Sequence, residues 1–335
     1  MIKLLSNFGS SLVFCLVAVV SGFFIGGLPA AATVLFLTVL ETSLSFDNAV
    51  INAGVLRDWN ELWRHRFLTW GLLVAVFGMR LLFPVLIVAV TAGIGPLAAV
   101  ELAVARPEEY ARALVAAQHQ IAAFGGAFLL MVFLKFFVAR HKTEHWLGLL
   151  ERPLTRLGKM EAIEAALSLT AVLLVSRWLD DPRRGEFVIA GAWGVIAFII
   201  AKGAAALLGG EEMNHQTVRQ GMAGFLYLEL LDASFSFDGV VGAFAMTNNL
   251  LVIALGLGAG AMFVRSFTLF LVDRGALENY RYLEHGAFWA IGALAAIMLA
   301  GVKWEIPEAV TGLVGAILIL ASIFSSIRAR KAAAG

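Results

Sequence analysis

Two short acidic motifs lie within long apolar runs of the 335-residue sequence. The first, ETSLSFDN, covers residues 41–48, and the second, DASFSFDG, covers residues 232–239. Both follow the pattern acid, any residue, Ser, apolar, Ser, Phe, Asp. Because an ionised carboxylate at membrane depth costs about 2.5–3.5 kcal/mol, it persists where it pairs, binds a cation, lines water or stays protonated. These motifs are therefore the first place to look for chemistry.

The motifs and one neighbouring acid predict an oxygen-rich cation site. Its candidate ligands are carboxylates, hydroxyls and one carboxamide: Glu41, Ser45, Asp47, Asn48, Glu229, Asp232, Ser236 and Asp238. Hard oxygen ligands of this kind suit Mn²⁺, Ca²⁺ or Mg²⁺ better than zinc or copper. The single cysteine, Cys15, and the scattered histidines offer no thiolate or imidazole cluster.

Helix geometry limits how these side chains can share one ion. On a regular helix Glu41, Ser45 and Asn48 lie on one face, whereas Asp47 points away. Both acids of a motif reach one ion only if the helix is unwound or kinked near residues 45–46 and 236–237. Otherwise each motif helix contributes to two separate sites.

A second interpretation of the same acids is purely structural. They could pair with basic residues elsewhere in the apolar runs and simply hold the helices together. The available partners are Arg80, Lys135, Lys202 and Arg265.

The composition places the whole chain in lipid. Hydrophobic residues make up 60% and charged residues 15% of the sequence, and the mean hydropathy is +0.86, whereas soluble domains are about a quarter charged. The apolar runs are much longer than barrel strands, so we predict an all-α polytopic membrane helix bundle forming a single transmembrane domain over residues 1–335. About ten spans are expected, at 9–28, 31–56, 67–92, 119–139, 160–177, 186–208, 220–247, 250–272, 286–303 and 307–327.

The charged residues between the spans indicate orientation and exclude some functions. Lys and Arg concentrate in the connections on the side of both termini, which predicts a multi-pass protein of the inner or plasma membrane with cytoplasmic termini. The net charge is only +1, and the sequence has no cluster of basic residues interspersed with aromatic residues. Nucleic-acid binding is therefore not expected. No nucleophile–base or metalloprotease spacing is present in the sequence, so an enzyme is not expected.

The two motifs belong to a longer internal repeat. An arginine follows in the next span of each copy, Arg80 and Arg265, and the span after that runs from a histidine to a lysine. We predict repeats at about 9–177 and 186–327. The motif spans are the second and seventh, and this odd offset predicts oppositely oriented copies, an arrangement that transporters use to build a midplane substrate site.

With these residues in view, the chain resembles the TerC-like membrane proteins associated with tellurium resistance, and specifically their DUF475 group. The resemblance rests on the residues 41–48, on ELLDASFSFD at residues 229–238, and on the Arg80 and Arg265 spans. Characterised relatives look like manganese exporters, which implies that Glu41, Asp47, Asn48, Asp232 and Asp238 bind the cation. Many relatives have serine where this sequence has Gly239, a difference that removes one possible oxygen ligand.

Two functions from different classes follow. The first is a secondary transporter that exports a divalent cation, with Mn²⁺ as the leading substrate, no prosthetic group, and protons as the counter-ion, because burial and metal release both favour carboxylate protonation. The alternative is a membrane scaffold that uses the basic 140–159 loop to anchor cytoplasmic protein partners of a tellurite or metal stress-response complex.

Overall fold

The described part of the chain is built from helices. The computed structural model describes residues 2–57, 59–71, 73–138, 144–208, 222–304 and 306–334, and within these ranges every regular element is helical. The helices are α1 (Ile2–Leu44), α2 (Phe46–Leu56), α3 (Glu61–Thr91), α4 (Pro96–Ala105), α5 (Pro107–Ala116), α6 (Gln118–Phe137), α7 (Gly148–Leu157), α8 (Ile163–Ser176), α9 (Arg183–Leu208), α10 (Met222–Met246), α11 (Leu250–Asp273), α12 (Ala276–Asn279), α13 (Leu283–Ala300) and α14 (Glu308–Ala334). Within α3, two stretches are π-helical, Phe67–Gly71 and Val74–Leu82.

The chain is a multi-pass helical membrane protein. Among the described residues, seven helices are long and apolar enough to cross a bilayer: α1, α3, α6, α9, α11, α13 and α14. Each of the ten predicted spans coincides with a helix, but three do not appear as separate long apolar helices. The first predicted span and residues 31–44 of the second are joined in α1, α8 has only 14 residues, and α10 contains three acids.

A sharp reversal at Gly26–Gly27 divides α1 into two limbs. Gly27 has φ 68° and ψ −158°, a conformation that is essentially restricted to glycine. The limbs then pack against each other, since a methyl group added to Gly22 would lie 2.9 Å from Val34 Cγ2. Both limbs pack along α11. In the first limb the Ser11 hydroxyl lies 2.7 Å from the Ser266 hydroxyl, and in the second limb the Thr38 hydroxyl donates to Gly256 O.

The helix that carries the first motif is broken inside the motif. Regular helix ends at Leu44 and resumes at Phe46, with Ser45 between them at φ −97° and ψ 21°. This is the position where the sequence analysis required a break if both acids were to reach one ion. The second motif differs, because α10 runs continuously as helix through residues 236–237.

The main apolar core surrounds α6. Its fully buried side chains include Phe128 and Phe137, and it packs against α9 on one side and α13 on the other. A second core contains Leu257 of α11 and Val240 of α10. It packs these two helices against α3, α4 and α5. The acidic motifs therefore lie between two well-packed apolar regions, on helices whose positions are fixed by burial.

The reversal at Gly27 yields a stability prediction. Gly27→Ala should lower the melting temperature of the detergent-purified protein, because a side chain in this backbone region costs about 1–3 kcal/mol. Gly9→Ala is the matched control in the same helix, since an added methyl group there meets no atom within 4 Å. Equal melting temperatures for the two variants would show that the reversal does not depend on glycine.

Candidate functional site

The two acidic motifs meet in the structure and run antiparallel where they meet. Asn48 Nδ2 donates a hydrogen bond of 2.6 Å to Asp232 Oδ1. A second contact lies seven residues before Asn48 in the first motif and seven residues after Asp232 in α10. There, Glu41 Oε2 is 3.0 Å from where a methyl group on Gly239 would be. An inverted repeat would produce such a crossing, although the predicted repeat boundaries at 9–177 and 186–327 remain predictions.

The absence of a side chain at Gly239 has a structural consequence. A serine at this position would place its Cβ at that 3.0 Å distance from the Glu41 carboxylate, so the carboxylate or the helix would have to shift. Glycine lets Glu41 approach the α10 backbone closely. Gly239 thus permits the close contact between the two motifs.

Each motif helix places one glutamate against a buried arginine. Arg80 Nη2 lies 2.6 Å from Glu41 Oε1, and the two side chains are 1% and 5% exposed. Arg265 Nη2 lies 3.4 Å from Glu229 Oε1, and its Nη1 donates to Phe67 O. The structural interpretation of the acids is therefore realised for these two glutamates.

Glycines on α3 and α11 make room for both ion pairs. Glu41 packs its Cβ and Cγ against Gly260 of α11, while its arginine comes from α3. Conversely, Glu229 and its arginine pack against Gly71 of α3, while that arginine comes from α11. Each of these two helices thus supplies an arginine to the glutamate of one motif helix and a glycine against which the glutamate of the other motif helix packs.

Two motif acids have no basic partner among the described residues. Asp232 accepts only the Asn48 amide there, although it lies close enough to Glu41 and Glu229 to interact electrostatically with both. Asp47 accepts a hydrogen bond of 2.9 Å from the Asn48 backbone N–H and is 8% exposed. The described site therefore contains more negative than positive charge.

Several buried oxygens of this region accept no hydrogen bond from the described residues. They are Asn48 Oδ1, Asn52 Oδ1, Glu229 Oε2 and Asp232 Oδ2. A buried acceptor that is left without a donor costs about 1–3 kcal/mol. Such a group of oxygen acceptors in an electronegative setting is chemically suited to a cation or to protons.

The structure separates some of the predicted ligands. Asp47 Oδ2 faces α14, 3.7 Å from where a methyl group on Gly315 would be and near Ala290 of α13, whereas Asn48 of the same motif contacts Asp232. Ser45 donates its hydroxyl to Glu41 Oε1 at 3.1 Å and so supports the ion pair. The side chains of Ser236 and Asp238 lie outside the described residues.

The acids whose side chains the structure describes do not form a compact ligand cluster on their own. Within the described part of the chain, no group of three or more Asp, Glu, His or Cys side chains is arranged to hold a metal ion. The arrangement instead joins one free carboxylate, Asp232, with the amide of Asn48, and sets Asp47 on the other side of the broken helix. Of the two alternatives from helix geometry, two adjacent cation sites fit these residues better than one shared site.

Two features, one buried and one half-buried, were not predicted from the sequence. Asn52 is 2% exposed and lies one turn after Asn48, so its spacing of four residues could have placed it on the same helix face. Lys135 pairs with Glu164 at 3.1 Å rather than with a motif acid. The signal for this pair was an acid at the start of an unusually short apolar segment.

The buried pair of Glu41 and Arg80 yields a stability prediction. Arg80→Gln should strongly lower the melting temperature in detergent, because a buried carboxylate that loses its partner costs about 3–5 kcal/mol. Adding Glu41→Gln should recover much of that loss, since the remaining groups are neutral and can hydrogen-bond. Additive losses in this double-mutant cycle would contradict a direct interaction.

Comparison with known proteins identifies the family of the chain. A family described as "Protein of unknown function (DUF475)" matches residues 46–333, a range that begins inside the first motif and contains the whole of the second. Neither the curated proteins nor the solved structures contain a match. Since the family covers most of its length, the chain belongs to the DUF475 family.

Proposed function

We propose that this protein is a secondary transporter that exports a divalent metal cation, with Mn²⁺ as its first candidate substrate. The observation that carries the proposal is the contact between Asn48 and Asp232, which joins the two acidic motifs inside the apolar bundle. Beside this contact lie buried oxygens that the described residues leave without donors. The protein would act in the inner or plasma membrane, with both termini in the cytoplasm.

The chemistry of the available oxygens supports the choice of substrate. Carboxylate and carboxamide oxygens are hard ligands that suit Mn²⁺, Ca²⁺ and Mg²⁺, and the region supplies no thiolate. The resemblance to TerC-like proteins, whose characterised relatives look like manganese exporters, places Mn²⁺ before the other two. Asp238 and Ser236 complete the candidate ligand set at the level of the sequence.

The arginines would divide the acids into two roles. Glu41 and Glu229 are neutralised by Arg80 and Arg265 and would hold the helices in position. Asp232 and Asp47 keep negative charge available for a cation, together with the Asn48 amide. A mobile cation would therefore interact mainly with these groups rather than with the glutamates.

Protons are the counter-ion that this arrangement favours. A bound cation stabilises the ionised form of any carboxylate that it contacts, so metal release and proton uptake would be linked. The break at Ser45 resembles the discontinuous helices on which transporters bind ions near the midplane. Movement at this break could alter the contact between Asn48 and α10.

The proposal predicts loss of export when the free carboxylates are neutralised. Cells that lack the protein should accumulate manganese, and expression of the wild type should lower their metal content. Asp232→Asn should reduce export roughly tenfold or more, the effect of about 1.4 kcal/mol of lost interaction. Elemental analysis of manganese-loaded cells measures the effect.

A matched control and a second acid sharpen this experiment. Glu108→Gln removes an exposed acid of α5 that belongs to neither motif. This variant should export manganese like the wild type. Asp47→Asn tests the second position, and its loss of export would show that both sides of the broken helix take part. Wild-type export by Asp232→Asn, at equal protein levels, would contradict the proposed site.

A further inference from the structure

The short helix α7 presents an unusual surface outside the bundle interior. Its residues Arg152 and Arg156 are one turn apart and exposed, and they line an open pocket together with Gly148, Leu149 and Pro153. Leu149, which is 94% exposed, lies on the same arc of the helix, and the next residue, Leu150, is 55% exposed. This side of α7 is therefore both basic and apolar.

The opposite side of α7 is fixed to the bundle by a buried carboxylate. Glu151 is fully buried, and its Oε1 accepts hydrogen bonds of 3.1 Å from Leu147 N and from Trp289 Nε1 of α13. Its Oε2 accepts from Trp146 N, also at 3.1 Å. The two backbone bonds cap the N-terminus of α7 itself, whereas the Trp289 bond reaches α13 and orients α7 with Glu151 toward the bundle.

A second attachment fixes α7 at the end of α6. The Thr155 hydroxyl donates to Phe137 O, the last residue of α6, at 3.3 Å. Since α6 is long and apolar enough to cross the membrane, its end lies near the bilayer surface. The exposed arginines and leucines of α7 are thus held at the level where lipid headgroups meet the acyl chains.

The two arginines have no acidic partner in the part of the chain that the structure describes. By contrast, two other exposed arginines have acidic partners there: Arg281 pairs with Glu144 at 2.8 Å, and Arg106 pairs with Glu109 at 3.1 Å. The only acid on α7 is Glu151, which faces inward. The pocket therefore has uncompensated positive charge and is complementary to an anion.

We propose that the Arg152–Arg156 pocket on α7 binds the phosphate headgroup of an anionic phospholipid, with Leu149 and Leu150 in the adjoining acyl region. Guanidinium groups are well suited to phosphate oxygens, and basic residues near an anionic bilayer attract its headgroups. The leucines select a lipid rather than a soluble anion, because in water they would remain exposed. An interfacial helix normally combines apolar and basic faces in this way.

The test measures lipid binding by the full-length protein in a non-ionic detergent. Native mass spectrometry records the bound fraction as phosphatidylglycerol or phosphatidylcholine is titrated in, and sodium phosphate is tested separately as a competitor. The wild type should prefer phosphatidylglycerol. The double variant Arg152→Gln, Arg156→Gln should bind it about thirtyfold more weakly, since each basic residue contributes roughly fivefold at an anionic surface.

Matched variants separate this site from general charge effects. Arg328→Gln with Arg330→Gln removes the same charge from exposed positions of α14 and should bind phosphatidylglycerol like the wild type. Arg152→Lys with Arg156→Lys keeps the charge and should keep most of the preference. If the glutamine variant does not fold, weaker wild-type binding at rising ionic strength tests the same electrostatic origin.

Three results would overturn the proposal. Equal phosphatidylglycerol binding by the wild type and the folded glutamine variant would exclude the pocket. Equal binding of phosphatidylcholine would exclude recognition of anionic charge. Competition by sodium phosphate at the same concentration as the lipid would assign the pocket to free phosphate instead.

Discussion

Charge buried within an apolar bundle has to be compensated, and this requirement organises the centre of the molecule. Glu41 with Arg80 and Glu229 with Arg265 bring four charges into the interior as two pairs. Such pairs contribute little net stability compared with apolar packing, but losing one partner is costly. They fix which faces of the motif helices turn toward α3 and α11, and so determine where the remaining acids lie.

Close approach of the helices depends on glycine at the positions where these pairs pack. Gly71 and Gly260 admit the side chains of Glu229 and Glu41, and Gly239 lets Glu41 reach α10. The same approach brings the Asn48 amide to Asp232 across the motif interface. Packing and the candidate cation site are therefore consequences of one arrangement of small residues and ion pairs.

Much of the architecture was predictable from the sequence, because lipid allows few backbone structures. The described residues of the ten apolar segments are helical apart from local breaks, whereas the sequence left open whether the first motif helix is kinked near Ser45 or regular. The sequence could not show that Glu41 would select Arg80, since four basic residues were possible partners. It also could not show that Asp47 would face α14, because that depends on packing between distant helices.

If the protein transports a divalent cation as proposed, the oxygens where Asn48 meets Asp232 bind it. The most direct measurement is anomalous diffraction at the manganese absorption edge from crystals of the purified protein grown with Mn²⁺. We expect an anomalous peak within bonding distance of the Asp232 carboxylate and the Asn48 side-chain oxygen. A map of equal quality with no peak between the two motif helices, or with peaks only at surface acids, would contradict it.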